Sequence, residues 1–99
     1  MYGIIVVNDI ILMFNVEWEE VIMFTKEVKL ETVEKVKDFV NAVRNVNGDI
    51  DIGSGRYIID GKSIMGILSL DLSKSLKLTV NCDVNEQAKI ENVLKPFEV

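Results

Sequence analysis

Among the side chains that could do chemistry in this chain, a serine near the middle is the most informative. Ser63 lies in the tract GKSIMGILSL, residues 61–70, which follows a predicted strand. The apolar spacing predicts a short helix that begins at Ser63. A hydroxyl at that place could accept the free N–H groups of the first turn, or could carry a phosphate. Because the sequence has no histidine, we expect a phosphate-responsive docking surface and no phosphoryl transfer through imidazole.

Cys82 is the only cysteine, so no disulfide can form within the chain. It closes a run of alternating polar and apolar residues, which predicts a buried and inert thiol. A reactive thiol is the alternative, but no histidine is present to activate it. One cysteine without histidine lacks the usual ligand sets for zinc, copper and haem, so we expect no metal and no cofactor. This cysteine usage fits a reducing cytoplasm.

Length and charge narrow the class of protein. A chain of 99 residues with 48% hydrophobic and 27% charged residues suits one globular domain. The formal net charge of −5 argues against a nucleic-acid partner and favours a basic protein or a basic pocket. We expect no membrane span, because no segment reaches roughly 18 continuous apolar residues. The apolar start lacks basic leading residues and is therefore a poor signal peptide.

Residues 1–22 differ from the rest of the sequence and allow two interpretations. In the first, they form a β-hairpin with strands at Ile4–Val7 and Ile10–Val16, apolar on both faces. In the second, Met23 is the natural start, because the residues that lead up to it can be encoded GAG-GAG-GTG-ATA-ATG, with a strong bacterial ribosome-binding sequence just before a start codon. We therefore divide the chain into an N-terminal extension, residues 1–22, and a domain, residues 23–99.

After the extension, the pattern predicts strand, helix, strand, strand, helix, strand and helix. Thr32 can cap the first helix, and Asn47-Gly48 should end it. Asp83 and Glu86 have the spacing of a capping box before the last helix. This order predicts an α+β domain with one four-stranded antiparallel sheet and three helices on one face. The residues expected to face inward are Val33, Val36, Phe39, Val40 and Val43 in the first helix, Leu76, Leu78, Val80 and Cys82 in the last strand, and Ile90, Val93 and Leu94 in the last helix.

The element order and the tract around Ser63 resemble HPr, the small phosphocarrier family of the bacterial sugar phosphotransferase system. The matching residues are Lys62-Ser63-Ile64-Met65-Gly66 and Ser69-Leu70, a string very similar to that of family members from low-GC Gram-positive bacteria. The resemblance covers residues 23–99. It implies an open-faced β-sandwich with the order β-α-β-β-α-β-α.

The histidine that defines this family is replaced. In the family it lies in a Gly-Ile-His-Ala-Arg-Pro type segment that opens the first helix. Counting back from Ser63 without gaps places Thr32 at the histidine position, Glu34 at the arginine and Lys35 at the proline. Threonine forms a stable phosphate ester, and Glu34 would repel an incoming anion. We therefore predict no catalytic residue, no enzyme activity and no phosphocarrier activity.

By the same resemblance, Ser63 is the regulatory phosphosite of an ATP-dependent serine kinase, and the modified protein docks on a regulator. The partner-binding residues would be Lys62, Ile64, Met65 and Leu68, with Lys62 beside the phosphate. We predict a cytoplasmic regulator of sugar transport whose partners are a serine kinase and a regulator or transport protein. The alternative is a degenerate phosphocarrier-fold domain that acts as an interaction module of unknown role. Two plainer possibilities stay open: Ser63 is only a helix cap, and Ile64, Ile67 and Leu70 are core.

Overall fold

The computed structural model describes residues 2–7, 9–15 and 20–99. The strands are β1 Tyr2–Val7, β2 Ile10–Asn15, β3 Glu20–Val28, β4 Gly48–Ser54, β5 Tyr57–Asp60 and β6 Leu76–Asp83. The helices are α1 Val33–Val43, α2 Ile64–Leu68 and α3 Gln87–Leu94, with 3₁₀ turns at Val84–Glu86 and Lys95–Phe97. From β3 onward this is the predicted order.

The described strands form one antiparallel sheet with the order β1-β2-β3-β6-β4-β5. The strands β3, β6, β4 and β5 are the four-stranded sheet expected from the sequence. One face of these four strands is buried beneath the three helices, since β6 buries every second residue from Leu76 to Cys82. The other face is open, and the side chains of Asp49, Asp51 and Lys77 are exposed there. The domain is therefore an open-faced α+β sandwich, as predicted.

The extension continues the sheet beyond β3. The strands β1 and β2 pair along their whole length, from Tyr2 opposite Asn15 to Val7 opposite Ile10, and β2 pairs with β3. Asp9 adopts a φ of 64° between them, as a tight hairpin turn requires. These strands correspond to the hairpin interpretation. Asn8 and Val16, which that interpretation also included, lie outside the described residues.

The strand β3 crosses the proposed boundary at Met23. It runs from Glu20 to Val28 and so begins three residues before that boundary. Ile22 is only 1% exposed and lies in the core, opposite Cys82 on β6. Two residues ahead of Met23, Val21 and Ile22, thus pair with the domain, and the position of the natural start remains a prediction.

The first helix follows the predicted apolar stripe with two differences. Val36, Phe39, Val40 and Val43 are buried, but Val33 is 51% exposed. It occupies the first helical position, where the core no longer covers the stripe, so its inward assignment was wrong. The helix also ends at Val43, before Asn47-Gly48. Gly48 instead begins β4, where a Cβ would lie 3.0 Å from the Asn81 carbonyl oxygen.

The core lies between the inner sheet face and the helices, and the remaining inward residues are largely confirmed. Leu76, Leu78, Val80, Cys82, Ile90 and Leu94 are buried, whereas Val93 is partly buried. The rings of Phe39 and Phe97 meet edge to face, with centroids 5.4 Å apart. The predicted capping box is wrong. Asp83 accepts the Asn85 N–H at 2.9 Å and caps a 3₁₀ turn, and Glu86 makes no side-chain cap on α3.

Candidate functional site

Ser63 begins the second helix as its N-cap. Its backbone is extended, with φ −101° and ψ 108°, and its Oγ accepts the Gly66 N–H at 3.2 Å. Its carbonyl accepts the Ile67 N–H at 3.1 Å. The hydroxyl therefore satisfies one of the free donors of the first turn, as the plainer sequence interpretation proposed. The residue is half-buried.

The helix α2 rests directly on β5 through Gly66. A Cβ at Gly66 would lie 3.0 Å from Ile59 Cδ1 and 3.2 Å from Ser63 Oγ. A glycine here lets the helix approach the strand closely and leaves room for the capping hydroxyl. The position of Ser63 is thus set by the packing of α2 on the sheet.

The apolar residues of α2, and Leu70 just after it, divide into core and surface. Ile67 is fully buried, as expected, whereas Ile64 and Leu70 are only partly buried against the core. Leu68 is also partly buried, and Met65 is 79% exposed. We use the name α2 surface for Ser63, Ile64, Met65 and Leu68. It presents one projecting apolar side chain, two apolar flanks and a capping hydroxyl.

An exposed aromatic ring lies beside the end of α2. Tyr57 on β5 is 73% exposed. Together with Arg56 and Leu70 it lines a groove of about 260 Å³ between the β4–β5 turn and the residues after α2. The sequence reasoning assigned no role to Tyr57, since a tyrosine in an edge strand carries no local signal of exposure.

Lys62 lies next to Ser63 but points elsewhere. Its Nζ donates hydrogen bonds to the carbonyl oxygens of Val46 at 3.0 Å and Gly48 at 3.1 Å. Its backbone N–H donates to Asp60 Oδ1 at 2.9 Å. The ammonium group is therefore engaged by the turn between α1 and β4. The sequence placed this charge beside a phosphate on Ser63, and the geometry gives it another set of partners.

Thr32 lies at the start of α1 as its N-cap. Its Oγ1 accepts the Lys35 N–H at 3.1 Å, so it caps the helix. Glu34 lies in the first turn and is exposed. The helices α1 and α2 pack against each other, and both begin with a capping hydroxyl. At the start of α1, the carboxylate of Glu34 follows the capping hydroxyl of Thr32 by two residues.

Cys82 is buried, as the alternating pattern predicted. Burial raises the pKa of its thiol to about 11, and the nearby carboxylate of Asp83 adds to the effect. A thiol with so high a pKa carries almost no thiolate at neutral pH. Within residues 2–7, 9–15 and 20–99, no cluster of three or more acidic or cysteine side chains is placed to hold a metal ion. None of the helices described there has the length and hydropathy to cross a membrane.

The fold and the site together define a class: a small open-faced β-sandwich of phosphocarrier type, with helix starts that present hydroxyl groups. The family model described as the PTS HPr component phosphorylation site matches residues 26–98. Because this match extends over more than half of the chain, the chain belongs to the PTS HPr family. A search of curated proteins found no match. Members of the HPr family are phosphocarriers that interact with other proteins of the phosphotransferase system.

Proposed function

We propose that this chain is a regulatory member of the HPr family that docks on partner proteins through the α2 surface, under the control of a phosphate on Ser63. The observation that carries the proposal is the start of α2, where a capping serine lies two residues before an apolar side chain that is 79% exposed. An exposed methionine contributes an adaptable apolar contact to a binding surface. A phosphate next to it would change the affinity of that surface for a partner.

The charge of the phosphate would be available to the partner. A phosphoserine adds about −1.5 to −2 charges at neutral pH. The adjacent ammonium of Lys62 is already bonded to two carbonyl oxygens. A partner that supplies arginine or lysine side chains would therefore form the charge-assisted hydrogen bonds. The expected partners are a serine kinase and a regulator or transport protein of the phosphotransferase system, all in the cytoplasm.

The start of α1 supports a regulatory role without phosphate relay. The hydroxyl of Thr32 replaces an imidazole nitrogen, and its phosphate ester would not be passed on readily. The carboxylate of Glu34 in the first turn opposes the approach of an anion. The chain is thus proposed to be neither an enzyme nor a histidine phosphocarrier.

Two incubations test this function. With the serine kinase of the family and ATP, the wild-type chain and Ser63→Thr should be labelled, whereas Ser63→Ala should not. With the phosphorylating enzyme of the system and phosphoenolpyruvate, no acid-labile phosphate should appear. Label that persists in Ser63→Ala would refute the assigned phosphosite, and acid-labile label would refute the loss of carrier chemistry.

A second candidate function is an interaction module that needs no phosphate. The 79% exposure of Met65 in the unmodified chain favours it, because the apolar contact is already presented. In that case a phosphotransferase-system partner would bind wild type and Ser63→Ala equally and would bind Met65→Asp weakly. A difference between wild type and its Ser63-phosphorylated form would favour the regulatory function instead.

A further inference from the structure

We infer that Lys62 is a positioning residue for the α2 surface, and that it does not bind the phosphate. Its ammonium ties the connection between β5 and α2 to the turn between α1 and β4, and this tie sets where Ser63 and Met65 are presented. The inference rests on the proposed docking role of the α2 surface. The resemblance to the family implied that Lys62 lies beside the phosphate on Ser63 as its charge partner. The inference gives Lys62 a structural role instead.

The acceptors of the Lys62 ammonium lie in a rigid part of the fold. The bonds reach back 16 residues to the Val46 carbonyl and 14 residues to the Gly48 carbonyl. Val46 is only 6% exposed. Gly48 packs so closely on β6 that a Cβ would lie 3.0 Å from Cys82 Cβ. A side chain bonded to both carbonyls is therefore held by groups that cannot easily move.

The backbone on either side of Lys62 is held as well. The Gly61 N–H donates to the Ile50 carbonyl at 2.7 Å, and the Ser63 N–H donates to the Asp60 carbonyl at 3.1 Å. These bonds anchor the connection to β4 and to the end of β5. The Lys62 side chain adds the link to the α1 side of the domain, so the start of α2 is tied in two directions.

The ammonium also lies where positive charge is favourable. The last turn of α1 contains no basic residue, Arg44 is the C-cap, and Val46 follows the helix end by three residues. A cation near the C-terminal end of a helix interacts favourably with its dipole. This gives Lys62 an electrostatic reason to stay in place when a phosphate is added nearby.

The local backbone separates Lys62 from the phosphosite. Ser63 has an extended backbone, whereas Lys62 lies in the turn just before it. Lys62 points to the α1–β4 turn, whereas Ser63 points to the Gly66 N–H. A phosphate on Ser63 would therefore lie on the α2 side, away from the bonds that hold Lys62.

Hydrogen exchange of individual backbone amides tests the positioning role, and it is measured on the full-length chain without any partner protein. Lys62→Met keeps the aliphatic stem and removes the ammonium, Lys62→Arg keeps charge and donors, and Lys77→Met is the matched control on the open sheet face. Loss of hydrogen bonds to a charged group should speed exchange of the Gly66 amide at least about tenfold in Lys62→Met, with partial rescue in Lys62→Arg and no change in Lys77→Met. If Lys62→Met does not fold, Lys62→Leu, which also carries no donor, is read in the same way. Unchanged exchange at Gly66, or no rescue by arginine, would overturn the inference.

A second measurement separates positioning from phosphate binding. Phosphoserine is placed at position 63 by genetic encoding, and the second phosphate pKa is followed by phosphorus NMR. If Lys62 only positions the site, this pKa should be the same in the wild-type background and in Lys62→Met. A clearly higher pKa in Lys62→Met would show that the ammonium binds the phosphate, and would overturn the inference. Neither measurement needs a kinase, so failure of the kinase to label Ser63 counts against the proposed function alone.

Discussion

Replacement of Gly61 by alanine tests how closely the β5–α2 connection packs on the sheet. A Cβ at this position would lie 2.7 Å from Ile50 Cγ2 and 3.0 Å from the Ile50 carbonyl oxygen. Carbon atoms in contact are ordinarily about 3.5–4.0 Å apart, so the connection would have to move by about 1 Å. The hydrogen bond from the Gly61 N–H to the Ile50 carbonyl, now 2.7 Å, would lengthen with it.

The expected cost follows from two opposing effects. Overpacking of a filled site costs about 1–3 kcal/mol. Alanine in place of glycine restricts the unfolded chain and returns about 0.4–1 kcal/mol. The free energy of unfolding of Gly61→Ala should therefore fall by about 1–2 kcal/mol, which corresponds to a lowering of Tm by about 4–8 °C for each kcal/mol in a domain of this size. Urea unfolding followed by far-ultraviolet circular dichroism measures it.

Two further variants show whether the contact with Ile50 is the cause. At Gly53 the nearest atom to an added Cβ is the Tyr57 carbonyl oxygen at 3.2 Å, so Gly53→Ala should cost less than Gly61→Ala. In the background of Ile50→Ala the methyl group at 2.7 Å is gone, and Gly61→Ala should cost less than in the wild type. A neutral Gly61→Ala, or an equal cost in both backgrounds, would contradict the reasoning.

Three other predictions concern the core and the extension. The pKa of Cys82 is raised from 9.0 to about 11 by burial, so the neutral thiol contributes stability that is fully present below about pH 9 and is lost as the pH rises towards 11. A urea-unfolding series from pH 8 to pH 11 should therefore fall less steeply for Cys82→Ala, and parallel curves would rule out the thiol as the cause. Phe39 is fully buried, so Phe39→Ala should lower the free energy of unfolding by about 3–5 kcal/mol in urea unfolding; a loss below about 1 kcal/mol would be inconsistent with its packing. A chain that begins at Met23 should fold and be less stable by roughly 2–3 kcal/mol, because Ile22 leaves the core; an unfolded product would disprove the division at Met23, and mass spectrometry of the native N-terminus tests the start itself.

The features that were predictable from the sequence are those with a local period or a local cap. The alternation from Leu76 to Cys82 places every second residue inward, whatever lies on the other side of the sheet. Thr32 and Ser63 both cap helices, because a hydroxyl at a helix start reaches an N–H three residues away. The element order followed from these signals, and the order together with the tract at Ser63 pointed to the fold.

The features that escaped prediction depend on distant parts of the chain. Val33 lies on the apolar stripe of α1, but its burial depends on whether the core extends to the helix end. The contacts of Lys62 could not be foreseen, because its acceptors are backbone carbonyls 14 and 16 residues away. A carbonyl has no sequence signature. For Asp83 the sequence correctly predicted a cap but not the element that it caps. The residue caps a 3₁₀ turn and not the last helix.

The two capping hydroxyls lie in different electrostatic surroundings, and this difference favours regulation at Ser63. The first turn of α1 contains Glu34, whereas the first turn of α2 contains no acidic residue. The carboxylate of Asp60, three residues before Ser63, already accepts the Lys62 N–H at 2.9 Å. A phosphate dianion on Thr32 would lie two residues from the Glu34 carboxylate in the chain, and a nearby like charge disfavours the charged form. A phosphate on Ser63 would lie beside Met65, which is 79% exposed, so its charge and the apolar contact would be presented to the same partner. In a chain without imidazole, this contrast supports the proposal that a phosphate at the start of α2 would alter binding without a transfer reaction.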